Sequence, residues 1–150
     1  MSNTYSGVTN ISAGGLIAGA PGVLSPFSNM LISALLDASS YPNTVKSLSV
    51  ASGGTLDLGI GNLLTSTGPA GLAGTLNLSG AAGGRLIELL ADSSESGTFA
   101  AVTGLPAHYA LQYSAKELDL VAVPEPSTLA LLGAAAIGLL AHAWRRRRVA

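Results

Sequence analysis

Gly54-Thr55-Leu56-Asp57-Leu58-Gly59 recurs 20 residues on as Gly74-Thr75-Leu76-Asn77-Leu78-Ser79. In both copies the large apolar residues alternate. Leu56, Leu58 and Ile60, then Leu76 and Leu78, fall on one face of an extended chain, with small or polar residues on the other. A spacing of about 20 residues suits one turn of a β-solenoid, in which each rung stacks its leucines on the next. Weaker echoes stand at Gly15-Leu16-Ile17, Ser96-Gly97-Thr98-Phe99 and Glu117-Leu118-Asp119-Leu120. The pattern predicts an all-β body, a short solenoid. A β-sandwich built on the same glycine-turn grammar is the alternative.

Further strands are expected at Val45–Ala51, Arg85–Ala91, Phe99–Val102, Tyr109–Tyr113 and Glu117–Val123. In Tyr109-Ala110-Leu111-Gln112-Tyr113 the aromatics and Leu111 share a face. Gly104-Leu105-Pro106-Ala107 reads as a turn that pairs this strand with Phe99–Val102 in an antiparallel hairpin. Asn29–Ala38 fits helical spacing, yet it is short enough to be a solenoid strand.

Composition narrows the class. Residues 1–126 hold three basic groups (Lys46, Arg85, Lys116) and eight acidic ones, a balance of −5, and residues 127–150 add +4, which recovers the overall −1. The mildly acidic body has no basic patch for nucleic acid. Cysteine is absent, so disulfides and thiolate metal sites are excluded. Nineteen glycines with few aromatics suit thin β structure and tight turns.

The end of the chain has a different physics. From Leu129 to Trp144 no residue is charged, and Arg145, Arg146, Arg147 and Arg148 follow at once. At about 1.5 Å per residue these 16 residues of helix reach roughly 24 Å, slightly under a hydrocarbon core of about 30 Å. Arginine stems and Trp144 at the interface make up the difference. Leu129, Leu131, Leu132, Ile137, Leu139, Leu140 and Trp144 form the expected transmembrane anchor, and the arginines hold its end in the cytoplasm. Pro124 and Pro126 stop the helix in front, with Ser127 or Thr128 as N-cap. The body then lies on the far side of the membrane.

Val123-Pro124-Glu125-Pro126-Ser127-Thr128, the apolar run and the arginine block together resemble the PEP-CTERM sorting signal of exported bacterial proteins. The resemblance implies an exosortase, a membrane-embedded cysteine transpeptidase-like enzyme, that recognises Pro124, Glu125 and Pro126 and removes the tail. Two prolines around a glutamate hold the backbone extended beside the membrane, where an enzyme cleft can read it. At the other end, Asn3-Thr4-Tyr5-Ser6-Gly7-Val8-Thr9-Asn10-Ile11-Ser12-Ala13-Gly14-Gly15-Leu16 resembles the autotransporter-associated β-strand repeat, with departures at Val8, Asn10 and Gly15. That resemblance implies a right-handed parallel β-helix and a chain similar to the terminal piece of a longer repeat protein. Met1-Ser2-Asn3-Thr4-Tyr5 lacks the basic n-region of a secretory leader, and Gly14–Leu24 is too broken to serve as its apolar core. A start further upstream, or a gene fragment, is expected.

No catalytic constellation emerges. His142 sits inside the apolar run and His108 beside a turn, where Ser114 and Asp119 carry no nucleophile signature. Asp92-Ser93-Ser94-Glu95 lacks calcium-loop spacing and reads as a solvated turn. Gly59-Ile60-Gly61 lacks the third glycine of a dinucleotide site. We therefore expect no enzyme activity, cofactor or metal.

Three segments are expected: repeat-like residues 1–44, a β-rich body at 45–123, and a sorting and anchoring segment at 124–148 whose transmembrane part spans 129–144. The expected function is that of an exported structural or adhesive protein. It starts as a single-pass inner-membrane precursor with a cytoplasmic C-terminus, and reaches the cell surface or the extracellular matrix after processing. The membrane and an exosortase-type enzyme are its expected partners, with extracellular polysaccharide or self-association as further ones. The alternatives are a permanent single-pass protein that is never cut and a fragment of a larger repeat protein.

Overall fold

Runs of three to six residues alternate apolar and polar side chains and are cut by glycine, serine or proline corners, so each run extends and each corner turns the chain. The computed structural model describes residues 3–124, 130–137, 139 and 144. Its first turn supplies β1 (Thr9–Ile11) and β2 (Gly15–Ile17). Three complete turns follow: β3 (Asn29–Ile32), β4 (Leu35–Ala38) and β5 (Asn43–Val45); β6 (Ser47–Val50), β7 (Thr55–Gly59) and β8 (Leu64–Ser66); β9 (Ala70–Leu72), β10 (Thr75–Ser79) and β11 (Leu86–Ala91). β12 (Glu95–Gly97) and β13 (Ala101–Thr103) start a further turn, and β14 (Tyr109–Tyr113) and β15 (Glu117–Ala122) close the body.

Each complete turn places one strand in each of three sheets. Sheet A runs β1-β3-β6-β9-β12, sheet B runs β2-β4-β7-β10-β13, and sheet C runs β5-β8-β11-β15-β14. Pairing is parallel throughout sheets A and B. This is the solenoid that the 20-residue repeat predicts, and the sandwich alternative falls away. Leu36, Leu56 and Leu76 stand in register in sheet B, all with 0% exposure. Leu16 begins the same ladder and Val102 ends it. Leu64, Leu90 and Leu118 form the matching ladder of sheet C, and Met30 and Leu48 sit side by side in sheet A. Each fully buried leucine contributes about 1.5–3 kcal/mol of transfer free energy. Stacking like on like keeps the narrow core filled without large aromatics.

The corners explain the glycines. At Gly74 the backbone has φ 59°, and a Cβ there would collide with the carbonyl oxygens of Gly54 and Ala51. Only glycine accepts both conditions. Asn29–Ala38 resolves as β3 and β4 about a corner at Ser33-Ala34, whose two N–H groups both donate to the Ile11 carbonyl at 2.9 Å. These backbone groups bond to a neighbouring turn, which excludes the helical reading. On the third side of the first turn a loop replaces a strand. Asn43, buried at the edge of sheet C, accepts a bond from the Leu24 N–H at 3.1 Å and fixes that loop.

The C-terminal end departs from the expected hairpin. β13 pairs with β10 and not with β14. β14 pairs antiparallel with β15, which itself runs antiparallel to β11. Glu117-Leu118-Asp119-Leu120 is therefore no further rung, although it alternates like one; the alternation of side chains does not encode strand direction. A bulge between Glu88 and Leu90 lets β11 turn both Leu89 and Leu90 into the core. Tyr109, Leu111 and Tyr113 share the core-facing side of β14, as their spacing predicts.

Residues 130–137, 139 and 144 are helical. Among the described residues no helix is long and apolar enough to cross a membrane. Leu131, Leu132, Ile137, Leu139 and Trp144 are exposed there. The expected span from 129 to 144 includes Leu129 and Leu140, which lie outside the described residues, as do Glu125, Pro126 and Arg145–Arg148.

Candidate functional site

The point where the chain leaves the body is built by three segments. β15 ends at Ala122, whose N–H donates to the Arg85 carbonyl at 2.9 Å, and the Val123 N–H donates to the His108 carbonyl at 2.7 Å. Pro124 follows and has no N–H to give, so the ladder must stop there. A residue before proline is held in extended conformation. The chain thus enters Pro124 straight, on the end of a strand paired on both sides. The Tyr109 hydroxyl donates to the Gly84 carbonyl at 2.8 Å and ties β14 to the segment that leads into β11.

His108, weighed in the sequence as a nucleophile's base, serves here through its main chain. It has φ 66°, the only described non-glycine residue in the left-handed region, directly after the Gly104 turn. Such a conformation costs about 1–3 kcal/mol and persists only where the surroundings fix it. Here it aims the carbonyl at Val123. Ser114 is engaged in the β14–β15 turn, where its hydroxyl donates to the Glu117 carbonyl at 2.9 Å and accepts from the Glu117 N–H at 3.0 Å. Sequence reasoning missed the clamp on Val123, since no local pattern joins residues 85, 108 and 123.

Acidic groups crowd the same end. Asp92-Ser93-Ser94-Glu95 bends with Ser93 and Ser94 exposed, as its polarity predicts, while Asp92 and Glu95 on either side are half-buried. The 115–116 turn folds over it, with the Asp92 N–H on the Lys116 carbonyl at 2.8 Å and the Glu95 N–H on the Ala115 carbonyl at 2.9 Å. Both carboxylate oxygens of Asp92 and Oε2 of Glu95 are inaccessible to solvent. Burial, followed by the charges of Asp92 and Asp119, pushes the Glu95 carboxyl up to about 7. Burial also raises Asp92, Asp119 and Glu88, the last two with help from the Glu117 charge. Among the described residues no group of three or more His, Cys, Asp or Glu is placed to hold a metal ion.

These shifts give the stability a sign. Glu95 has a folded value above its unfolded 4.5, so its contribution is present in full below 4.5 and is lost as the pH climbs through about 7. The thermal midpoint should fall across that window, and Glu95→Gln should flatten the slope and raise the midpoint on the alkaline side. Circular-dichroism melts against pH read both effects. An unchanged slope in the variant would assign the titration elsewhere.

A second feature lies on the outer face of sheet A. An open groove of about 540 Å³ runs across the rungs between Val8, Asn29, Leu31, Lys46, Ser47 and Pro69. The Ser47 hydroxyl donates to Asn29 Oδ1 at 2.8 Å, which bridges two rungs along its floor. One ammonium beside amide, hydroxyl and alkyl surface can hold a polar or anionic group on a partner.

Comparison with known proteins agrees with the reading of the tail. Residues 122–148 match the PEP-CTERM protein-sorting motif. No curated protein and no solved structure matches the chain. The motif marks the chain for exosortase-dependent sorting to the cell surface. Its match begins at Ala122, the last residue of β15, so the signal starts where the folded body ends.

Proposed function

We propose that the chain is an exported structural or adhesive protein, with the solenoid as cargo and residues 124–148 as a temporary handle. The match to the sorting motif directly behind the last strand carries this reading. The apolar run from Leu129 to Trp144 enters the inner membrane, and Arg145–Arg148 keep the end of the chain cytoplasmic. The body then faces away from the cytoplasm. Exosortase reads Pro124-Glu125-Pro126 and cuts there, and the precursor becomes a surface or matrix protein.

Two features of the body support this role. All fifteen strands of the described residues end at or before Ala122, so removal of the tail takes none of these away. The groove beside Lys46 supplies a contact surface, suited to a partner such as an extracellular polysaccharide. The body acts by contact and not by catalysis. Mass spectrometry of the mature chain tests the reading. A product ending near Pro124 is the expected result, whereas an intact arginine tail in mature material would make the protein a permanent single-pass anchor.

A further inference from the structure

Where the chain leaves the body, the outer face of sheet C changes character. Val121 pairs with Leu86 on one side and with Ala110 on the other, so these three residues form one row across three strands. Val123 stands two residues beyond Val121, on the same side of an extended chain. Leu86 is 62% exposed and Val123 48%. The Ala122 N–H donates to the carbonyl of Arg85, itself an exposed residue, so a cation borders the apolar row. The next row back along β15 is Glu88, Asp119 and Gln112, about 6.7 Å further from the exit. One face of one sheet is thus apolar and cationic at the exit, and acidic behind it.

The length of the connection decides what meets this row. Five residues, Pro124 to Thr128, separate Val123 from the apolar run that starts at Leu129. Fully extended they reach at most about 18 Å. The headgroup layer takes about 5–8 Å of that reach, which leaves the exit row within about 13 Å of the headgroups. A body tethered so closely meets lipid with this end. The acidic row sets the tilt. Laid flat, sheet C would press the exposed Glu88 against phosphates, whereas stood on its exit edge it offers them Arg85. Guanidinium groups pair with phosphate oxygens through two N–H bonds, and apolar side chains gain by leaving water at the boundary between headgroups and acyl chains.

We propose that the exit edge of sheet C is a lipid-facing surface, which seats the precursor body end-on on the bilayer through Leu86, Val121, Val123 and Arg85. The inference rests on the reading that the apolar run enters the inner membrane. The seat holds Val123 and Pro124 at a fixed depth, and so presents the proline pair to a membrane-embedded enzyme. A patch of so few side chains holds to lipid only while the tether keeps it concentrated there. Cutting the tail therefore releases the seat as well.

Cysteine is absent, so single labels read the depth. The full chain is placed in vesicles of phosphatidylethanolamine and phosphatidylglycerol, with a nitroxide on Ala110→Cys or on Ile17→Cys. Ile17 is 68% exposed and belongs to the first turn. The label at 110 should be relaxed more by dissolved oxygen than by a water-soluble nickel chelate, and the label at 17 the reverse. Adding Leu86→Glu should turn 110 to the water-exposed pattern without changing the circular-dichroism spectrum. Water exposure at 110 in a chain that resists alkaline carbonate extraction would overturn the proposal. Shielding that Leu86→Glu leaves intact would overturn it too, since the tether alone would then explain it. Shielding that appears only when an exosortase is added would assign the patch to the enzyme and overturn the lipid contact. Release of the chain by alkaline carbonate would sink the anchoring reading itself, and the seat with it.

Discussion

Leu56→Ala lowers the stability of the body by about 3–4 kcal/mol, within the range of about 2–5 kcal/mol for a buried leucine truncated to alanine. Leu56 is fully buried and stands in register between Leu36 and Leu76. Its removal therefore takes packing from two neighbouring turns at once. In a solenoid the stability is a sum of turns and of contacts between adjacent turns, so a gap in the middle weakens two interfaces. Against a typical total of about 5–15 kcal/mol the loss is large. The thermal midpoint should drop by roughly 10–15 °C. Leu16→Ala removes the same atoms from the end of the ladder, where the side chain is only partly buried, and should cost about half as much. Urea titration of the two variants checks the ratio. Equal losses would mean that the ladder does not bear the load by stacking.

Glu125→Ala abolishes most of the sorting while the body stays folded. The carboxylate between Pro124 and Pro126 is the only charge in the motif's proline pair. A charge-assisted hydrogen bond is worth about 1.5–3 kcal/mol, so its loss should reduce processing by about ten- to a hundredfold. Precursor should accumulate in the membrane fraction, and processed product at the surface should disappear. The melting curve should not move, because every strand of the described residues ends at or before Ala122. Undiminished release of the body would show that the glutamate is not read.

The acid-crowded end and the sorting junction share one element. β15 holds Asp119 beside Glu95 and, a few residues later, delivers Val123 to the His108 carbonyl. Raising the pH charges Glu95 among like charges and loosens the neighbourhood of this strand.

The sequence by itself determined the solenoid and the sorting signal, because both are written in neighbouring residues. Alternation over three to five positions is enough to place Leu56 and Leu76 on one face, and a fixed 20-residue interval is enough to stack them. A proline pair, an apolar run and an arginine block are equally local. Tertiary structure alone decided the reversed β14–β15 hairpin, the burial of Asp92 and Glu95, and the clamp of Val123 by His108. Each depends on which distant strand lies alongside. Side-chain alternation reads the same whichever way a strand runs, so direction, neighbour and the fate of a charged turn are fixed only when the chain closes on itself.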